Sequence, residues 1–224
     1  MRLVTYEVEH KGGLGVISKD GKWVYPLRSL DMDYKTMQEL IEGISESEKQ
    51  LLEYVSGQDP YKIRGAAPIE EVRFLAPIKN PKQDVICLGI NYMDHAEESA
   101  RYKKEAFGGE RPYAVYFSKR VNESVANGDG IQSHSDIVTD LDYEVELAVV
   151  LGRDALHVRE EDVGDYIFGY SVANDVSARD VQYRHKQNFL GKSLDTFFAM
   201  GPVIVTADEF PCPPALSIRS FVNG

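Results

Sequence analysis

The run Asp142-Tyr143-Glu144-Val145-Glu146-Leu147-Ala148-Val149-Val150-Leu151 is the segment best equipped for chemistry. Alternate side chains of a strand share a face. Tyr143, Val145, Leu147, Val149 and Leu151 therefore line one side, and Glu144 and Glu146 the other. Two adjacent carboxylates on an apolar strand repel each other, and burying them calls for a cation or hydrogen-bond donors. Carboxylate oxygens are hard ligands that suit Mg, Mn or Ca. A half-exposed edge strand with a polar face accounts for the same pair.

Other groups could act beside them. Asp175 ends the apolar run Ile167 to Ala173, where a strand end presents functional groups; a turn aspartate bonded to its own backbone is the plainer reading. In a helix, His95 and Glu98 stand at i and i+3 and can touch. A carboxylate on one ring nitrogen raises the basicity of the other, as a general base acting on water requires. A surface ion pair explains that spacing too. Lys192, in Gly191-Lys192-Ser193-Leu194-Asp195, is either solvated or paired to a buried anion. Lys119 ends a strand and suits a substrate-side role or a simple surface charge. Cys87 sits in an apolar strand and reads as an inert buried thiol. Asp129 reads as a turn residue, and His134 and His157 as surface residues.

The elements that must hold these residues are mostly strands. Leu3 to Val8 and Leu14 to Ser18 are β-rich, with Gly12-Gly13 expected to separate them, and Asp20-Gly21 predicts a hairpin into Trp23-Val24-Tyr25. Thr36 to Glu39 and Ser45 to Glu48 both have the capping-box pattern ahead of helices. Glycines and prolines between 57 and 80 predict a hinge between a small N-terminal module, 1–70, and a main domain, 71–224. Strands are predicted at 72–75, 85–88, 114–118, 143–151, 167–173 and 202–206, with a turn at Asn127 to Gly130. A helix capped by Ser177 is expected to run to about Arg184. The fold class is α+β, mainly β. Asn223-Gly224 is itself a hairpin-turn pair, so the chain reads as a fragment.

Composition narrows the classes. The chain has 224 residues, 43% of them hydrophobic and 27% charged, as a soluble globular protein requires. Its net charge of −11 argues against nucleic acid as a partner. Two cysteines without a CxxC fit a reducing compartment. No non-polar stretch approaches the roughly 20 residues of a membrane span, and no signal peptide stands at Met1. The expected location is cytoplasmic.

Four motifs occur in order: Gly89-x-Asn91-Tyr92-x-x-His95-x-x-Glu98, Asp142-Tyr143-Glu144-x-Glu146-Leu147, Asn174-Asp175-x-Ser177-Ala178-Arg179-Asp180-x-Gln182, and Gly191-Lys192-Ser193-x-Asp195. Together they resemble the fumarylacetoacetate hydrolase family, from about residue 72 onward. Within it, the chain looks most like the bacterial 2-hydroxyhepta-2,4-diene-1,7-dioate isomerases, acylpyruvate hydrolases and oxaloacetate decarboxylases. The resemblance implies a mixed β-sandwich roll beside a small N-terminal α/β module, usually as a homodimer. It implies one divalent cation, Mg²⁺ or Mn²⁺ (Ca²⁺ in some crystals), on Glu144, Glu146 and Asp175. His95 and Glu98 become the acid/base pair, with Lys192 also catalytic. Arg179, Gln182, Tyr92 and Lys119 take substrate-binding positions, for a small anionic 2-oxo acid. The implied chemistry passes through an enolate: C–C hydrolysis, decarboxylation or isomerisation. A member that keeps the metal site without turnover is the alternative. Two departures stand out. The family continues past an Asn-Gly such as Asn223-Gly224 into a segment that closes the site, and it carries Pro where Ala199 stands.

Overall fold

The computed structural model describes residues 1–89 and 114–224. Its strands are β1 (Arg2–Val8), β2 (Lys11–Ile17), β3 (Trp23–Pro26), β4 (Ala67–Pro68), β5 (Arg73–Leu75), β6 (Val85–Leu88), β7 (Tyr116–Lys119), β8 (Leu141–Asp142), β9 (Val145–Leu151), β10 (Ile167–Asp175), β11 (Ser177–Ala178), β12 (Phe198–Met200) and β13 (Ile204–Thr206). The described α-helices are α1 (Met37–Gly43), α2 (Glu46–Ser56), α3 (Arg179–His185) and α4 (Asn188–Lys192). The α+β, strand-dominated class holds.

Among the described residues one nine-stranded sheet runs β12-β10-β13-β1-β2-β3-β4, with β5 also on β1 and β9 on β10. Antiparallel β1 and β13 join at Arg2↔Val205 and Leu3↔Ile204, so strands from the stretches 1–70 and 71–224 share this sheet. Gly169 permits the neighbouring β10–β13 contact: a Cβ there would lie 2.4 Å from the Val205 carbonyl oxygen. Two small ribbons stand apart, β6 with β7 and β8 with β11.

The two short helices α1 and α2 bury Met37, Leu40, Ile41, Leu52 and Val55 against Leu3, Val16, Ala173 and Ile204 of the sheet. Apolar burial of this kind is the main favourable term in folding. A smaller cluster of Val138, Val176, Ala178, Val181 and Phe197 seats α3. No described helix is long and apolar enough to cross a membrane.

Local expectations fared unevenly. The Asp20-Gly21 hairpin forms, with Gly21 at φ 77° and the Ser18 amide donating to the Trp23 carbonyl at 2.9 Å. Gly12 and Gly13 do not separate strands; they lie inside β2, and Glu9 and His10 make the turn at positive φ. Both members of the Ser45–Glu48 capping box are present. Thr36 caps α1, but Glu39 reaches the Lys35 amide rather than that of Thr36. Ser177 is no helix cap. It lies in β11, and α3 starts after Ala178 with no side-chain cap.

Candidate active site

The register of β9 on β10 creates the site. Ala173 lies across from Glu146 and Asn174 across from Val145. One step on, the Asp175 amide donates to the Glu144 carbonyl at 2.8 Å. Directly opposed residues of an antiparallel pair share a face. Glu144, Glu146 and Asp175 are therefore aligned on one face, and the small Ala173 leaves room opposite Glu146. Asn174 steadies the corner, its Oδ1 accepting from the Glu144 amide at 3.0 Å.

Three cations meet these acids. The Lys192 ammonium, 3% exposed, donates to Glu144 Oε2 at 2.8 Å and Asp175 Oδ2 at 2.6 Å. Lys119 Nζ lies 2.6 Å from Asp175 Oδ1, so that buried oxygen also faces an ammonium. Arg179 spans Asp142 Oδ2 (2.8 Å) and Glu144 Oε1 (2.5 Å). Charge-assisted contacts of this kind are the strong ones. Burial works against the Arg179 charge, but Glu144 and Asp142 more than offset it, and its pKa stands above the ordinary arginine value.

Local structure explains each placement. Gly191 lets α4 close on α3: a Cβ there would come 2.6 Å from Gln182 Cγ and 2.8 Å from the Ala178 carbonyl oxygen. Lys192 follows at the end of α4 and points at the carboxylates. Arg179 is the first residue of α3, and Gln182, one turn on and buried, accepts from it at 3.3 Å.

Several expectations change. Lys119, placed at the substrate by resemblance, is wholly buried. Its ammonium donates to the Val176 and Phe197 carbonyls at 3.0 and 2.6 Å, so it anchors Asp175 from behind. Burial pushes its pKa down, opposed by Asp175. Among the described residues no three His, Cys, Asp or Glu side chains are placed to hold a metal ion. Glu144, Glu146 and Asp175 are thus aligned but not gathered, and Lys192 stands between two of them. Tyr92, His95 and Glu98 lie outside the described residues. Cys87, expected to be buried, is half-buried; its thiol is pushed up to about 12 by desolvation and then by the nearby Asp175 charge. Two participants were missed. Asp142 holds Arg179, and its spacing of two from Glu144 was the available signal. Ser177, read as a cap, donates to Glu144 Oε1 at 3.1 Å.

Comparison with known proteins follows the same residues. Residues 84–224 match the profile described as fumarylacetoacetate (FAA) hydrolase C-terminal. The chain belongs to the fumarylacetoacetate hydrolase family. It is 36% identical over 234 residues to the oxaloacetate tautomerase YisK of Bacillus subtilis, an alignment covering all of this chain and 76% of that protein. The fumarylacetoacetate hydrolase of Exiguobacterium antarcticum superposes with a TM-score of 0.68 at 32% identity, over 94% of this chain and 68% of that one. A maleylpyruvate hydrolase from Sphingobium sp. SYK-6, solved with manganese(II) and pyruvate, shares the fold at TM-score 0.65 and 24% identity, over 93% of this chain and 68% of that one. The chain is an enzyme of this family.

Proposed function

We propose that this fumarylacetoacetate hydrolase family enzyme interconverts the keto and enol forms of a small 2-oxo diacid of the oxaloacetate type, with a divalent cation as cofactor. Decarboxylation and C–C hydrolysis share the enolate, and the tautomerase name of the YisK relative favours the proton shift. The observation that carries the reading is the Lys192 ammonium bridging Glu144 and Asp175 beside Arg179.

The donor set fits a hard divalent cation. Three carboxylates share one face of a ladder, and two already converge on a single cationic atom. Glu144, Glu146 and Asp175 would hold the ion. Such an ion supplies positive charge where an enolate develops. Lys192, held beside the same carboxylates, is a pre-aimed donor for that developing charge. Arg179 presents a planar fork that matches a substrate carboxylate, and Gln182 orients that fork. Lys119 stays behind Asp175 and holds it in place. The base that moves the C3 proton is assigned by motif to His95, with Glu98 as its partner.

The test is ultraviolet detection of oxaloacetate enol decay with Mn²⁺ or Mg²⁺, and then with EDTA. The expected result is metal-dependent acceleration that Asp175→Asn abolishes, with loss of Mn²⁺ binding in calorimetry. A wild-type protein that binds Mn²⁺ but leaves oxaloacetate, acylpyruvates and muconate-type diacids at their buffer rates would overturn the enzymatic reading of the site and favour metal binding without turnover.

A further inference from the structure

Lys192 is flanked by more than carboxylates. Its Nζ lies 5.4 Å from the centroid of the Phe117 ring. The ribbon of β6 and β7 delivers that ring. Phe117 and Lys119 stand two apart on β7 and share a face, with Cys87 and Val85 directly across on β6. One strand thus supplies the ammonium behind Asp175 and the aromatic face against Lys192.

The physics of the two contacts differs. Lys192 has three N–H directions, and two point at Glu144 and Asp175. An aromatic face attracts an ammonium through its quadrupole but accepts no strong hydrogen bond, and it keeps water off that side. The ring therefore favours the Lys192 position in which its hydrogens point at the carboxylates. We propose that Phe117 is a positioning residue for Lys192, acting through a cation–π contact. The effect on turnover rests on the tautomerase reading above; the contact itself does not.

A double-mutant cycle on folding stability tests the contact. Phe117→Leu keeps an apolar side chain and deletes the quadrupole, while Phe117→Tyr keeps both. The destabilisation caused by Phe117→Leu should shrink by about half or more when Lys192 is already Met, because the interaction is then absent. Phe117→Tyr should restore the wild-type denaturation midpoint. In the oxaloacetate assay, Phe117→Leu should lower kcat about five- to tenfold with little change in KM, and Phe117→Tyr should recover it. If Lys192→Met does not fold, the contrast between Leu, Met and Tyr at 117 still decides, since both aliphatic variants should fall together. Additive destabilisation, or equal loss with Leu and Tyr, would reduce Phe117 to packing and overturn the proposal. Coupling and Tyr rescue in stability without any oxaloacetate turnover by the wild type would uphold the contact and reject the tautomerase reading.

Discussion

Asp175 and Glu144 are cross-strand partners joined twice. The Asp175 amide donates to the Glu144 carbonyl at 2.8 Å, and the Lys192 ammonium spans their two carboxylates. The backbone bond sets the register, and the register sets the distance at which one cation serves both acids. A slip of one residue would send Glu144 to the opposite face of the sheet. The chemistry of the site therefore depends on the β9–β10 ladder as much as on the identity of its residues.

Lys192→Met should strip the cation from two carboxylates while keeping the aliphatic stem. Removing one partner of a buried ion pair leaves an uncompensated charge and costs about 3–5 kcal/mol. Chemical denaturation should show a loss of that order, and oxaloacetate turnover should fall by about a hundredfold if Lys192 faces the developing enolate. A midpoint equal to wild type would mean that the ammonium is not holding these acids.

Gly191→Ala should act through packing. The added methyl would lie 2.6 Å from Gln182 Cγ and 2.8 Å from the Ala178 carbonyl oxygen, closer than real Cβ contacts come. Overpacking of this kind typically costs about 1–3 kcal/mol. Since α4 must move off α3, Lys192 should move with it, and turnover should drop together with the thermal midpoint. An unchanged midpoint would show that α4 is not seated as described.

The two thiols should separate by reactivity. Cys212 is exposed. Cys87, raised to about 12 by burial first and by Asp175 next, stays protonated at pH 8. Since the thiolate is the nucleophile, iodoacetamide at pH 8 should label Cys212 and spare Cys87, as peptide mass mapping would reveal. The linked stability has a definite sign. A thiol whose folded pKa is raised contributes stability below its unfolded value of about 9 that is lost as pH climbs towards 12. Cys87→Ala should flatten that alkaline loss; equal labelling of both cysteines would show that the Cys87 thiol is not held protonated.

Much of this was legible before any coordinates. Period-two patterning put Glu144 and Glu146 on one face, the Asp20-Gly21 turn and the Ser45–Glu48 box needed only neighbouring residues, and the four motifs in order marked the family. These signals are local, carried by residues within a few positions of one another. Gly12-Gly13 misled because glycine permits a turn without requiring one, and cross-strand pairing with β1 held both residues extended. Ser177 had a cap's type and spacing but spends its hydroxyl on Glu144 and on the Asp175 carbonyl.

What the sequence determined by itself was the inventory: the carboxylates, the lysines and arginine, and the strands and helices that carry them. What the tertiary structure decided was which charge meets which. Lys119 looked like a strand-end charge and became a buried counter-ion of Asp175, 56 positions away. Phe117 met Lys192, and strands from the first residues of the chain joined the sheet of the active site through β13. Such pairings follow from long-range sheet register and core packing. No residue's type or neighbours encode them, since each depends on where another part of the chain comes to rest.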